Sequence, residues 1–375
     1  MPGVVFGGAR PPGALAPTAS GPRKPWSAVR FALGLLLTAA SLAAAPLTST
    51  RIGASDYVSM VDVCGRLGLR FSFSGNGRSM SLRGAGHTAV LLPPGDGSHR
   101  LLVLDGVRVH LGDLVVDRAG SLYVSRIDFE RRLLPLFRPD LIPNPPRRPR
   151  VIMLDPGHGG VDSGAQNPRY HLQEKALTLD VAERLRPLLL AQGWTVLMTR
   201  TRDTQISVDK VFDLEERARL AASLHADLLL SIHFDAGPPA TQGSMILAYN
   251  PAGQRSTENW GRGLKNNSQA AMPGNRFDPW NFVLEHALFR GLPGFLQTND
   301  LGERIQNISI GRNAQVPTVL VEPAYISNDA EARRLMNPAF RQQVAEGLAA
   351  GIKRYAETID ALQPAPLVVR PANAR

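Results

Sequence analysis

The sequence predicts an α/β fold: an open, mostly parallel sheet with helices on both faces, preceded by a small duplicated α+β module. Three observations predict it. From residue 151 onward, short apolar runs alternate with helical patterns, the rhythm of a parallel sheet covered on both sides. Two of those runs, 151–154 and 227–232, are nearly continuous in apolar residues, as strands buried on both faces are. Upstream, a Tyr-Val-Ser-x-x-Asp pattern begins at Tyr57 and again at Tyr123, 66 residues later. Two copies make a duplicated module and fall short of the three or more that a solenoid needs.

The first segment, 1–46, has the order of an export signal. "GPRKPWSAVR" is basic, the run from Phe31 to Pro46 is apolar, and Ala43-Ala44-Ala45 offers small residues for cleavage. The run is shorter than the roughly 20 residues a spanning helix needs. It reads as a cleaved signal or a retained anchor behind a disordered leader rich in Pro, Gly and Ala. The chain is therefore expected to be exported to the periplasm or cell envelope, touching a membrane only through that segment if it is kept. In the module, residues 51–137, "YVSMVDVCGRL" and "YVSRIDFERRL" each fit a strand entering a helix. Runs 69–73, 88–92 and 101–104 fit strands, and "DGVRVHL" at 105–111 a turn and an alternating strand. The pattern resembles the copper amine oxidase N-terminal-like domain, which implies a structural or wall-binding role. His87, His99 and His110 are scattered and read as surface or turn residues, without a metal-ligand set. Cys64, the one cysteine, reads as a small buried apolar residue; its isolation excludes an internal disulfide and a Cys-based zinc cluster. "RPDLIPNPPRRPR", 138–150, is an extended linker, because its prolines forbid helix.

Charge placement narrows the function classes. The formal net charge is +10, of which +4 lies in residues 1–50, +3 in 138–150 and +2 in 361–375. Nucleic-acid domains cluster positive charge on a folded face, so no nucleic-acid partner is expected. Loose attraction to an anionic envelope polymer is compatible with this distribution.

The α/β domain spans 151–358, followed by a disordered tail, 359–375. Strands are expected at 151–154, 194–198, 227–232, 244–249 and 318–321. After Glu174, residues Leu177, Val181, Leu185 and Leu188 share one helical face, with Pro187 kinking the last turn. Helices follow at 213–224 and 339–356. In such sheets, sites form beyond the carboxyl ends of strands. His158 in "VIMLDPGHGGVDSGA" and His233 in "ADLLLSIHFDAG" both sit just past a strand. Glu174 in "HLQEKALTLD" opens a helix, and Glu322 in "PTVLVEPAYISND" ends a strand. Two imidazoles and a carboxylate are the protein ligands of an open zinc site. A further, unligated carboxylate can serve as general base. His158, Glu174 and His233 can supply the ligands and Glu322 the base. Spacing alone does not carry this, since there is no HExxH pair, and "GHGG" lacks the spacing of a phosphate loop. Blander readings stand beside each residue: a turn histidine for His158, an acid favoured by the helix dipole for Glu174, a core histidine for His233, a strand-end ion-pair partner for Glu322. Asp155 either makes the turn or orients a ligating imidazole.

"LDPGHGGVDSGA", "LQEKALTLDVAERL", "ADLLLSIHFDAG" and "PTVLVEPAYISND" together resemble the four ordered blocks of zinc-dependent N-acetylmuramoyl-L-alanine amidases of the type 3 family, over roughly 150–357. The resemblance implies a Zn2+ hydrolase of peptidoglycan that cuts the amide between N-acetylmuramic acid and L-alanine, in wall remodelling or daughter-cell separation. It assigns ligation to His158, Glu174 and His233 and acid/base catalysis to Glu322; peptidoglycan is the expected partner, with an activator protein a further candidate. The alternatives are a zinc peptidase acting on stem peptides and a catalytically silent or regulated wall-binding protein with an amidase-like fold. "GERIQNISIGRNAQVP" resembles the stretch leading into the last strand, with Arg312 a substrate-side candidate. The sequence departs from the pattern where Asp235 replaces an Asn and where Pro323-Ala324 replace a small residue and Gly. Residues 250–300 read as a long irregular insertion carrying Trp260, Trp280 and "WNFVLEHALF". It is expected to be a groove wall, or an autoinhibitory helix with Glu285 reaching the metal. His171, His225 and His286 read as surface or capping residues.

Overall fold

The computed structural model describes residues 47–74, 79–92, 100–257 and 270–363, which form one compact unit. The expected export segment 1–46, His99, Trp260 and the tail from 364 lie outside the described residues. No helix among the described residues is long and apolar enough to cross a membrane.

The two Tyr-Val-Ser copies fold alike and pair with each other. Strand β1 (Ser49–Ile52) pairs with β2 (Ser55–Ser59), and β2 leads into α1 (Met60–Leu67). The Ser59 side chain accepts from the Val61 N–H and caps the helix, which ends at Gly68 in a left-handed conformation that glycine adopts without a Cβ clash. A meander follows: β3 (Arg70–Phe73), β4 (Met80–Gly84), β5 (His87–Leu91), β6 (Leu101–Leu104) and β7 (Val107–His110). The hairpin β8 (Val116–Arg118) and β9 (Ser121–Ser125) delivers the second copy. Ser125 caps α2 (Arg126–Asp128), which continues through a π turn, Phe129–Leu133, into α3 (Leu134–Phe137). Antiparallel register sets Tyr57 against Ser125 and Val58 against Val124, so the copies face each other across a local two-fold.

The C-terminal part adds β10 (Val151–Pro156), the small hairpin β11 (Gln166–Asn167) and β12 (Leu172–Gln173), and α4 (Glu174–Ala191). Then come β13 (Thr195–Met198), α5 (Lys210–Ser223), β14 (Leu228–Ile232) and β15 (Ser244–Tyr249). It closes with α6 (Asp278–Phe289), α7 (Leu292–Leu296), β16 (Asp300–Gln306), α8 (Ser309–Arg312), β17 (Thr318–Glu322), α9 (Asp329–Met336) and α10 (Pro338–Ala361). Sheet order is β13-β10-β14-β17-β15-β16-β7-β6-β5-β4-β3, eleven strands without a break. The first four run parallel, β15 is antiparallel to β17, and β16 joins the meander through β7 in parallel. The sheet is thus mixed, with helices on both sides. Strand alternation divides the core: Ile152 and Leu154 pack with α4, α6 and α10, while Met153 packs on the opposite side with α5. Helix α10 runs through Ala361, past the expected boundary at 358, because Ile359 is fully buried.

The structure corrects three expectations. Residues 278–289 of the supposed irregular insertion are a core helix: every residue of α6 except Pro279 is buried, and it packs between the strands and α10. Glu285 therefore does not approach the metal candidates; its carboxylate pairs with Arg132 at 3.1 Å, both groups shut off from solvent. Strand β16 was not among the expected strands, and Glu303 within it is wholly buried. His87 and His286 are not scattered surface groups, since both contact Asp105.

Removing one member of a buried ion pair strands the other. Glu285→Ala is expected to cost about 3–5 kcal/mol, read as a lower urea midpoint, with Arg132→Met/Glu285→Leu recovering most of the loss. A midpoint equal to that of the parent in the single variant would refute this.

Candidate metal centre

The site is built at the carboxyl ends of β10 and β14. These strands are parallel neighbours with Pro156 opposite Ile232, so the residues just beyond them, His158 and His233, emerge side by side. Their ring centroids lie 4.9 Å apart. Glu174 is the first residue of α4, brought in by the β11–β12 hairpin. Its Oε2 lies 3.1 Å from His158 Nε2 and its Oε1 2.9 Å from His233 Nδ1. Backbone N–H groups of Ala165 and Phe234 donate to the same two oxygens, at 2.8 and 3.0 Å, and fix the carboxylate. One ligand atom from each of the three residues lies within 4.8 Å of the others.

Glycines make this convergence sterically possible. A Cβ at Gly164 would stand 2.6 Å from both Glu174 Oε2 and His158 Cδ2, and one at Gly157 would overlap the His233 imidazole. Gly164 also has φ +65°, a conformation that favours glycine. His158 itself has φ +62°, a strained setting for a non-glycine residue that the surrounding contacts must enforce. The donor set, two imidazoles and one buried carboxylate in a cradle cleared of Cβ atoms, fits a divalent cation of the zinc type.

Asp162 was not singled out by the sequence, yet it sits four residues beyond His158 and its Oδ2 lies 3.0 Å from His158 Nδ1. Lys210 Nζ backs it at 3.2 Å. Held there through Nδ1, the His158 ring turns Nε2 toward Glu174 and His233. Burial lowers the basicity of His158, but hydrogen bonds to Glu174 and Asp162 outweigh it and raise the pKa above the ordinary value. Burial likewise opposes ionisation of Glu174, and the two imidazoles overcome it, holding the carboxyl far below the usual range.

Asp155 lies beneath the site. It accepts from Thr199 Oγ1 at 2.6 Å, Ser231 Oγ at 2.7 Å and Arg217 Nη1 at 2.9 Å. Arg217 in turn donates to the carbonyls of Pro156 (3.0 Å) and His158 (2.8 Å), while Arg200 donates to those of Pro156 and Gly157, both at 2.9 Å. Asp155 thus holds the turn through Arg217, and these contacts do not include an imidazole. Glu322 ends β17, the strand beside β14; the His233 N–H donates to Val321 O at 3.0 Å, which sets Glu322 next to His233 at the same sheet edge. The Asp235 carboxylate accepts from the Ala236 N–H at 2.7 Å, and its carbonyl accepts from the Ile326 N–H at 2.9 Å, tying the loop after β14 to the loop after β17. Arg312, at the end of α8, donates to Asn307 Oδ1 at 3.0 Å. His171 and His225 both take left-handed backbone conformations in turns.

The family model described as N-acetylmuramoyl-L-alanine amidase, Amidase_3, matches residues 152–354, and the chain belongs to this family. It is 34% identical over 229 residues to N-acetylmuramoyl-L-alanine amidase AmiC of Escherichia coli O6:H1, covering 56% of this chain and 53% of that one. It is 32% identical over 214 residues to the germination-specific N-acetylmuramoyl-L-alanine amidase of Bacillus subtilis, covering 55% and 79%. The chain spans about half the length of the first curated relatives it matches. Among solved structures, the catalytic domain of CwlV from Bacillus (Paenibacillus) polymyxa var. colistinus is 25% identical with a TM-score of 0.45, over 56% of this chain and 98% of that one.

Two outcomes test the geometry. Asp162→Ala is expected to weaken zinc affinity about 10–100-fold in a competitive chelator titration, as loss of an outer carboxylate does. Because hydrogen bonds to Glu174 and Asp162 raise the pKa of His158, zinc competes with protons for it, so zinc uptake should release protons and affinity should fall as pH is lowered. Calorimetry in buffers of different ionisation enthalpy reads the proton count; none released would contradict the assignment.

Proposed function

We propose that this member of the N-acetylmuramoyl-L-alanine amidase family is a zinc-dependent peptidoglycan hydrolase that cleaves the amide between the lactyl group of N-acetylmuramic acid and L-alanine of the stem peptide. The observation that carries the reading is the convergence of His158, Glu174 and His233 on one point beside Glu322 at a single sheet edge. The three would hold zinc, which when bound lowers the pKa of a coordinated water to about 7 and polarises a carbonyl. Glu322 takes the proton of the attacking water and returns it to the departing L-alanine nitrogen. Asp162 holds the His158 tautomer, and the arginine-gripped turn keeps both imidazoles in place so that little reorganisation accompanies reaction. The family match favours this reading over a stem-peptide peptidase or a silent wall-binding protein. The substrate places its action in the cell envelope, in keeping with the export-like 1–46 segment.

The test is mass spectrometry of peptides released from purified peptidoglycan by the zinc-loaded protein. Free stem peptides beginning at L-alanine are expected, with the rate reduced about 10²–10⁴-fold in Glu322→Gln while bound zinc is retained. Removing zinc with a chelator should abolish release and adding it back should restore it. Cleavage within the stem peptide instead would overturn the amidase reading.

A further inference from the structure

A second cluster of metal-binding character lies where the N-terminal meander meets the catalytic part. His87 opens β5, Asp105 sits in the turn between β6 and β7, and His286 is on α6, so the three come together only when the two parts are docked. Asp105 Oδ2 is 2.7 Å from His87 Nδ1 and 3.7 Å from His286 Nε2. One ligand atom from each lies within 4.8 Å of the others, as in the His158 site. The Thr88 N–H donates to Asp105 Oδ1 at 3.0 Å, which turns Oδ2 toward the two rings.

The strongest sign is a buried nitrogen with nothing to bind. His286 Nδ1 is engaged by Glu303 Oε1 at 2.7 Å, the outer-carboxylate arrangement that fixes a ligating imidazole with its other nitrogen free. That other nitrogen, Nε2, is buried and has no hydrogen-bond partner, and 3.7 Å to Asp105 is too long for one. A buried polar atom left unsatisfied calls for an explanation such as an ion. Beside it opens a cavity of about 360 Å³ lined by His87, His286, Arg290 and Arg354, which gives an ion a way in.

We propose that His87, Asp105 and His286 form a second, structural divalent-cation site, with Glu303 behind His286, that clamps the N-terminal strands to the catalytic sheet. Arg290 Nη1 lies 3.2 Å from Asp105 Oδ2 on a half-exposed side chain that has open space beside it to yield Asp105 to a cation. A proton on His286 is the competitor for the same place: although burial opposes it, Glu303 and Asp105 raise the pKa to about 9.

Zinc counting on the intact, metal-stripped protein decides between them. After titration with Zn2+ and removal of excess, elemental analysis is expected to find two equivalents in the parent protein, one in His233→Ala and one in His87→Gln. His87 is only partly buried, which guards against misfolding, and circular dichroism of each variant checks it. A parent protein with one equivalent and a His233→Ala variant with none would overturn the second site and leave the catalytic one standing. Two equivalents retained in His87→Gln would also overturn it. Because His233→Ala counts the second site alone, the result is independent of whether the protein proves to be an amidase. Zinc should also raise the melting temperature of His233→Ala but not of His233→Ala/His87→Gln.

Discussion

The ion pair between Arg217 and Asp155 underlies the candidate metal centre. Both groups are buried, and Arg217 also binds Asp213 at 2.7 Å. Desolvating such charges is expensive, and they are stable only because every strong donor finds an acceptor. Here the acceptors include the carbonyls of Pro156 and His158, backbone groups at the end of β10 that have no strand partner. The pair therefore converts a strand end into a rigid platform. His158 can persist at a positive φ because that platform leaves its backbone no alternative.

The same logic recurs away from the site. Arg132 with Glu285 joins the helical end of the N-terminal module to α6, and His286 with Glu303 joins α6 to β16. Around them the apolar core is shared: Ala248, Phe282 and Ile305 of the C-terminal part pack with Leu102, Val109 and Leu133 of the module. The Arg108 N–H donates to Asp300 Oδ2 at 2.8 Å across the same seam. A sheet of eleven strands with one continuous hydrogen-bond ladder and a common core is held together by polar register as much as by apolar burial.

Much of this was legible in the sequence, for definable reasons. The parallel strands were readable because strands buried on both faces are continuous apolar runs, as in Leu228–Ile232. His158, Glu174, His233 and Glu322 stood out because each lies at the end of an element, where a sheet gathers its functional groups. Asp162 was within reach, in the same glycine-rich loop as His158, but an acid in a turn has many explanations. Arg217 was not: it contacts Asp155 across 62 residues of chain, and only the strand order brings them together. Strand β16 was missed, and helix α6 was placed in an irregular insertion, because the partners of their buried charges are distant in sequence. His87 and His286 read as surface residues because Asp105, which both approach, is distant from each along the chain.

The unbroken sheet has a consequence for how the chain can be divided. The Pro/Arg stretch 138–150 looks like a natural place to cut. A fragment starting there would expose the raw edge of β16 together with the apolar sides of Phe282 and Ile305, which the module now covers. Unpaired edges beside greasy patches recruit strands from other molecules. The meander thus covers an edge and an apolar patch that the C-terminal part would otherwise present to solvent.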